Sequence, residues 1–142
     1  MKSFFINGPI DTEFISNSII NHQSKYQIGA HNIFLGQVRA DKIKSNNVIG
    51  IDYSSYEKMA NNKINLIREE TFQKFELVCL HIYHSLGFVK VGQIGFFVFV
   101  SSKRRKNIYE ATEFIVNSVK QSVPIFGKEI FQNDKHKWKV NN

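Results

Sequence analysis

Residues 93–131 read QIGFFVFVSSKRRKNIYEATEFIVNSVKQSVPIFGKEIF, and three kinds of local structure follow one another along them. Gln93 to Ser101 is short, rich in β-branched and aromatic residues and preceded by Gly92, the pattern of a strand. Lys106 to Ser122 then sets Ile108, Ala111, Ile115 and Val119 on one stripe at helical spacing. Pro124 cannot continue that helix. Ile125 to Phe131 is apolar again and leads through Gln132-Asn133-Asp134-Lys135 into His136 to Val140, a terminal hairpin. Helices and strands alternate, but a closing hairpin is antiparallel by construction, so the expected class is α+β.

The same alternation extends upstream. Ser3 to Ile6 reads as an opening strand, and Asp11-Thr12 caps a short helix whose apolar face is Phe14, Ile15, Ile19 and Ile20. Gly29 to Arg39 reads as a strand with a bulge or close backbone approach at Gly36. Ala40 to Asn47 is polar and basic and reads as a loop. Val48 to Tyr53 is a strand leading into Ser54-Ser55, the expected cap of a long helix striped by Ala60, Ile64, Ile67, Thr71 and Phe75. Glu76 to His84 is a further strand, set off from residues 93–101 by Gly87 and Gly92. No repeat or linker interrupts the chain, so one domain over residues 1–142 is expected.

Thirteen Phe against two Pro, with 42% hydrophobic residues, favour a packed interior over disorder. One cysteine, Cys79, excludes an intrachain disulfide and leads us to expect a reducing, cytoplasmic setting. The apolar start is too brief for a signal peptide, and Ile94 to Val100 is too short to span a bilayer, so no membrane association is expected. Nineteen Lys and Arg against twelve Asp and Glu give +7, which suits a nucleic acid, a phosphorylated small molecule or an acidic protein surface.

The densest cationic feature is Ser102-Lys103-Arg104-Arg105-Lys106, at a strand-to-helix junction. It reads as a solvated basic turn, as a nucleic-acid patch, or as an anion pocket in which guanidinium forks sit beside free helix amides. Arg39 ends a strand beside the basic loop. Lys120 in the last helical turn and Lys128 after Pro124 flank one turn, and neighbouring cations depress lysine pKa. His81 and His84, three apart in a strand, leave on opposite faces, and His22, His31 and His136 are scattered, so no metal site is expected. Cys79 reads as a small buried hydrophobe. Phosphate loop, nucleophile elbow and paired-carboxylate signatures are absent.

The segments GAHNIFLGQVR (29–39), YEKM (56–59), HSLG (84–87), SSKRRKNIYEATEFI (101–115) and KQSVPIFGKE (120–129), with Trp138 in the closing segment, resemble the large, catalytic subunit of molybdopterin synthases over roughly residues 3 to 140. The resemblance implies a hammerhead-type α/β core with an added antiparallel β subdomain. It implies a homodimer within a heterotetramer, each copy binding a ubiquitin-like sulfur carrier whose C-terminal Gly-Gly thiocarboxylate enters a pocket. The substrate implied is cyclic pyranopterin monophosphate, sulfurated twice to the dithiolene, with no cofactor, nucleic acid or metal. Arg39, Arg104 and Arg105 are then the substrate ligands, and Lys120 and Lys128 the catalytic residues.

The sequence departs from the family pattern at three places. Arg104-Arg105 stands where most members carry His-Arg, and Gly127-Lys128 where most carry two lysines. The sequence also ends at Asn142, before a segment that supplies an arginine across the dimer in relatives, so that contribution is not expected here. In strict strand register Lys128 points away from Lys120, whereas a bulge at Gly127 turns it back. A small basic RNA-binding module and a non-catalytic paralogue are the rival readings.

Overall fold

The computed structural model describes residues 3–43, 45–133 and 136–139. Strand β6 (Ile94–Ser102) is buried almost from end to end, and the layers are built on its two faces. Phe96, Val98 and Val100 pack with Leu80 and Ile82 of β5 (Cys79–Lys90) against α2 (Glu57–Lys74) and α3 (Ile108–Ser122). Phe97 and Phe99 face the other way, toward Phe14, Ile15 and Ile19 of α1 (Thr12–His22). This two-sided cover explains why Phe96 to Val100 is an unbroken apolar run rather than an alternating one.

The sheet runs β2-β6-β5-β4-β7-β8, with β2 spanning Ala30–Gln37, β4 Asn46–Ser55, β7 Ile125–Phe131 and β8 His136–Trp138. Every pairing is antiparallel except that of β1 (Phe5–Asn7), which lies parallel to His84, Ser85 and Leu86 of β5. Strand β5 serves two halves of the sheet. Cys79 to His84 pairs with β6, and Gly87 to Lys90 pairs with β4, the change falling beside Gly87, whose φ of 84° suits glycine. Val38, Ile51 and Val89 form a smaller core under the second half.

The α+β class, the closing hairpin and the helical stripes hold, except that Ile20 of the α1 stripe is exposed, and the β2–β6 register shifts between Gly36 and Gln37, where the bulge was expected. Three local expectations change. Ser54-Ser55 is not a helix cap: β4 runs through Ser55, whose hydroxyl donates to the Pro124 carbonyl at 2.9 Å, and α2 starts behind Tyr56 without a side-chain cap. Loop 40–47 is partly strand, because β3 (Lys42–Ile43) pairs with Asn46 and Asn47. Gly87 does not end a strand, since β5 continues to Lys90. Asp134, Lys135 and Val140 of the hairpin lie outside the described residues. No helix among the described residues is long and apolar enough to cross a membrane.

Ile115 sits fully buried where α3 meets β6. Ile115→Ala is expected to lower unfolding free energy by about 2–5 kcal/mol, the range for truncating a core aliphatic, read from urea midpoints.

Candidate active site

The C-terminal turn of α3 hangs over the bend of β5. After Ser122 the chain turns at Pro124 and returns as β7 along β4. Lys139, just past β8, donates its backbone N–H to the Gly127 carbonyl at 2.8 Å, which holds Lys139 at the opening. The pocket so formed is lined by Tyr53, His84, Val119, Lys120, Val123, Ile125, Gly127 and Lys139.

Burial decides the protonation of this pocket. The Lys120 ammonium lies 5.4 Å from the centre of the Phe96 ring. Desolvation pulls its pKa below that of an ordinary lysine, and the Lys139 charge pulls the same way. His84, only 3% exposed, has its pKa pushed down to about 4, chiefly by burial; Lys120 adds to this and a hydrogen bond to the Ser85 carbonyl opposes it. Its Nδ1 lies 2.8 Å from that carbonyl, which can only accept, so Nδ1 carries the proton and Nε2 keeps its lone pair. The Tyr53 ring meets the His84 ring edge-on at 4.8 Å, and burial raises the phenol pKa. The result is a neutral imidazole and a neutral phenol beside two lysines, and among the described residues no carboxylate or thiol lines the pocket. Such a set favours an anion over a metal ion, and a desolvated amine can take up and release protons nearer neutral pH.

The structure does not bring every candidate residue here. Of the two registers open at Gly127, the strict one is found and the bulge is absent: the β4–β7 register shifts between Val48 and Gly50 and then runs unbroken to Ser55 opposite Ile125. A Cβ on Gly127 would meet Ile51 and Tyr53 at 3.0 and 3.3 Å, so that position faces the pocket. Its neighbour Lys128 points to the opposite face, as strand alternation demands, with its ammonium 5.7 Å from the Trp138 ring centre. Lys139 takes the place expected for Lys128. Pairing the closing hairpin residue by residue sets Lys128 opposite Trp138 and Lys139 beside Gly127, a signal present in the sequence once the register is known.

Arg39 is three-quarters exposed and grips Asp41 through Nε at 2.7 Å and an Nη at 3.1 Å. The pairing raises the Arg39 pKa and lowers that of Asp41, and Lys139 also acts on Asp41, which sets the pair on the Lys139 side. Arg104 lines a separate depression with Glu76, Ser102, Lys103, Lys106 and Asn107, ahead of α3. Arg105 lies ahead of α3, and from Ile108 to Lys120 the helix rises about 18 Å at 1.5 Å per residue. Within one chain the arginine pair and Lys120 do not share a pocket.

Residues 7–122 match the family model described as MoaE protein. The chain is 35% identical over 130 residues to the molybdopterin synthase catalytic subunit of Bacillus subtilis (strain 168), covering 92% of this chain and 79% of that one. Some relatives are much longer: the chain spans 37% of the corresponding subunit of Drosophila grimshawi and 56% of that of Rattus norvegicus. Among solved structures, molybdopterin synthase from Staphylococcus aureus superposes with a TM-score of 0.81 at 30% identity over 98% of both chains. A complex of subunits 1 and 2 of the molybdopterin-converting factor from Helicobacter pylori 26695 gives 0.80 at 26% identity, over 94% of this chain and 87% of that one.

A histidine whose folded pKa is depressed binds fewer protons than the unfolded chain between the two pKa values. His84 therefore costs stability as pH falls from about 6.5 to about 4, on the order of 3 kcal/mol across that window, and nothing further below it. His84→Gln is expected to flatten the pH dependence of urea unfolding in that window relative to the parent chain. A parallel shift of the whole curve would mean that His84 is not buried neutral.

Proposed function

This chain belongs to the MoaE protein family, and on that premise we propose that it is the catalytic subunit of a molybdopterin synthase. In this reading it transfers sulfur from the C-terminal Gly-Gly thiocarboxylate of a small ubiquitin-like carrier to cyclic pyranopterin monophosphate, building the dithiolene, in the cytoplasm. The observation that carries the proposal is the desolvated Lys120 beside Lys139, with neutral His84 and Tyr53, in one pocket. Both a thiocarboxylate and a cyclic phosphate are anions, and the two lysines attract them into a site that excludes bulk water. Lys120, with its pKa lowered, moves protons as sulfur bonds to a side-chain carbon of the pterin and the displaced oxygen leaves protonated; water then hydrolyses the resulting thioester and the carrier departs as its carboxylate. Neutral His84 and Tyr53 hold the wall around it without neutralising its charge. Lys139, rather than Lys128, is the second amine.

The rise of about 18 Å along α3 to Lys120 also bears on assembly. A site that uses Lys120 together with Arg104 and Arg105 must draw them from two copies of the chain. We therefore assign the functional unit as a homodimer in which the arginines of one copy hold the phosphate over the Lys120 pocket of the other, with Arg39 at the rim. One carrier per copy completes a heterotetramer, and the +7 charge suits an acidic carrier. The depression at Arg104 contains no aromatic side chain on which a base could stack, which weighs against an RNA-binding module.

Mixing the chain with a thiocarboxylated carrier and the cyclic precursor is expected to yield molybdopterin. Lys120→Ala should abolish transfer, Lys139→Ala should slow it at least about tenfold, or 1.4 kcal/mol, and Lys128→Ala should leave it near normal. Arg105→Ala is expected to weaken precursor binding by about 1.5–3 kcal/mol. Subunit exchange between Lys120→Ala and Arg105→Ala proteins should restore roughly a quarter of the sites by random pairing. Recovery of nothing would place both residues in one chain's site and overturn the shared-site arrangement.

A further inference from the structure

On the opposite side of the sheet from Lys120, three side chains distant in sequence converge. Strand alternation sends Leu80, Ile82 and His84 toward one face of β5, and Cys79, His81 and Tyr83 toward the face covered by α1. There the Nε2 atoms of His22 and His81 stand 2.9 Å apart, and the Cys79 sulfur joins them so that all three donor atoms lie within 4.8 Å of one another. His22 and Cys79 are buried and His81 is half-buried. These residues looked scattered in the sequence; α1 lying across β5 is what collects them.

We propose that His22, Cys79 and His81 form a zinc-binding site that pins the C-terminal turn of α1 to β5. Four observations lead there. First, the donor set, two imidazoles and one sulfur, is the chemistry that zinc selects over magnesium or calcium. Second, His22 Nδ1 lies 2.7 Å from the Ser18 carbonyl, so Nδ1 carries the proton and the Nε2 lone pair faces the cluster. A backbone carbonyl holding the far ring N–H is how zinc-bound histidines are oriented. Third, His22 occupies the last turn of α1, where the unpaired carbonyls of the helix favour a cation. Fourth, the spacing is close to what a tetrahedral ion needs: zinc–nitrogen and zinc–sulfur bonds of about 2.0–2.3 Å set ligand atoms roughly 3.3–3.6 Å apart. Side-chain shifts of about 1 Å close the difference.

The Lys25 ammonium, from the turn after α1, donates to the Cys79 sulfur at 3.1 Å. Zinc takes its place: the thiol proton leaves to solvent, the proton between the two imidazoles moves to the far nitrogen of His81, and water fills the fourth position. Binding therefore releases one proton per thiol and weakens as the ligands protonate at lower pH. The ion crosslinks residues 22, 79 and 81, adding stability to the folded chain in proportion to its occupancy.

The full chain, stripped of metal by chelator, is titrated with Co²⁺ and then Zn²⁺. One Co²⁺ per chain should bind with a thiolate-to-cobalt charge-transfer band, be displaced by Zn²⁺, and Zn²⁺ should raise Tm. Cys79→Ser, nearly isosteric, should abolish the band, and His81→Gln should weaken Zn²⁺ binding at least about tenfold. His22→Gln is expected to do the same. Because His22 is buried, His81→Gln and Cys79→Ser carry the test if that variant fails to fold, their metal-free circular dichroism and Tm confirming the fold. Absence of the band in the parent chain at micromolar metal would overturn the proposal, as would Zn²⁺ affinity unchanged by both Cys79→Ser and His81→Gln.

Discussion

Strand β6 has no face left for water, and most of the architecture follows from that. Phe96, Val98 and Val100 demand a cover on one side, supplied by α2 and α3, while Phe97 and Phe99 demand one on the other, supplied by α1. Burying three Phe and two Val on one short strand stabilises the sandwich by an order of magnitude more than any hydrogen bond in the pocket. It also fixes where α3 runs, and so where its last turn comes to rest. The Phe96 ring that anchors the core is the same ring over which the Lys120 ammonium lies. The lowered Lys120 pKa follows first from burial against this core and then from the neighbouring Lys139 charge.

Strand β5 couples this core to the rest. Its first half is a rung of the central sheet and its second half belongs to the smaller antiparallel layer, with Gly87 at the change. His84 falls at that junction, turned toward Tyr53 and Phe96, and the pocket opens in the angle between the two halves. Because side chains alternate along the strand, the same six residues present histidine to the Lys120 pocket on one face and a histidine–cysteine pair to α1 on the other. Two chemically unlike environments share one backbone, separated only by the thickness of the sheet.

Cationic charge is distributed in the same two-ended way. The Arg104-Arg105 turn and the Lys120–Lys139 pair stand at opposite ends of α3, and the helix between them is rigid. An anion held by both cannot be satisfied inside one chain. A site built from both ends takes one end from each of two copies, which is the arrangement we propose.

The sequence by itself determined what depends on near neighbours. The stripes of α2 and α3, the strand at 93–101, the bulge at Gly36 and the closing hairpin follow from periods of 3.6 and 2 and from Gly and Pro, all local properties. The family resemblance was legible for the same reason: it rests on short motifs in fixed order. Only tertiary structure decided the rest. Ser55 reads as a cap by residue type, yet the Pro124 carbonyl, 69 residues away, keeps it in a strand. Lys128 is the partner weighed for Lys120 until the β4–β7 register, shifted at Val48 rather than at Gly127, turns it away, and the closing hairpin brings Lys139 in. His22 and His81 are 59 residues apart and have no spacing to read. Register and burial are set by long-range pairing, and a one-residue slip reverses the face of every side chain, so no local pattern can encode which groups meet.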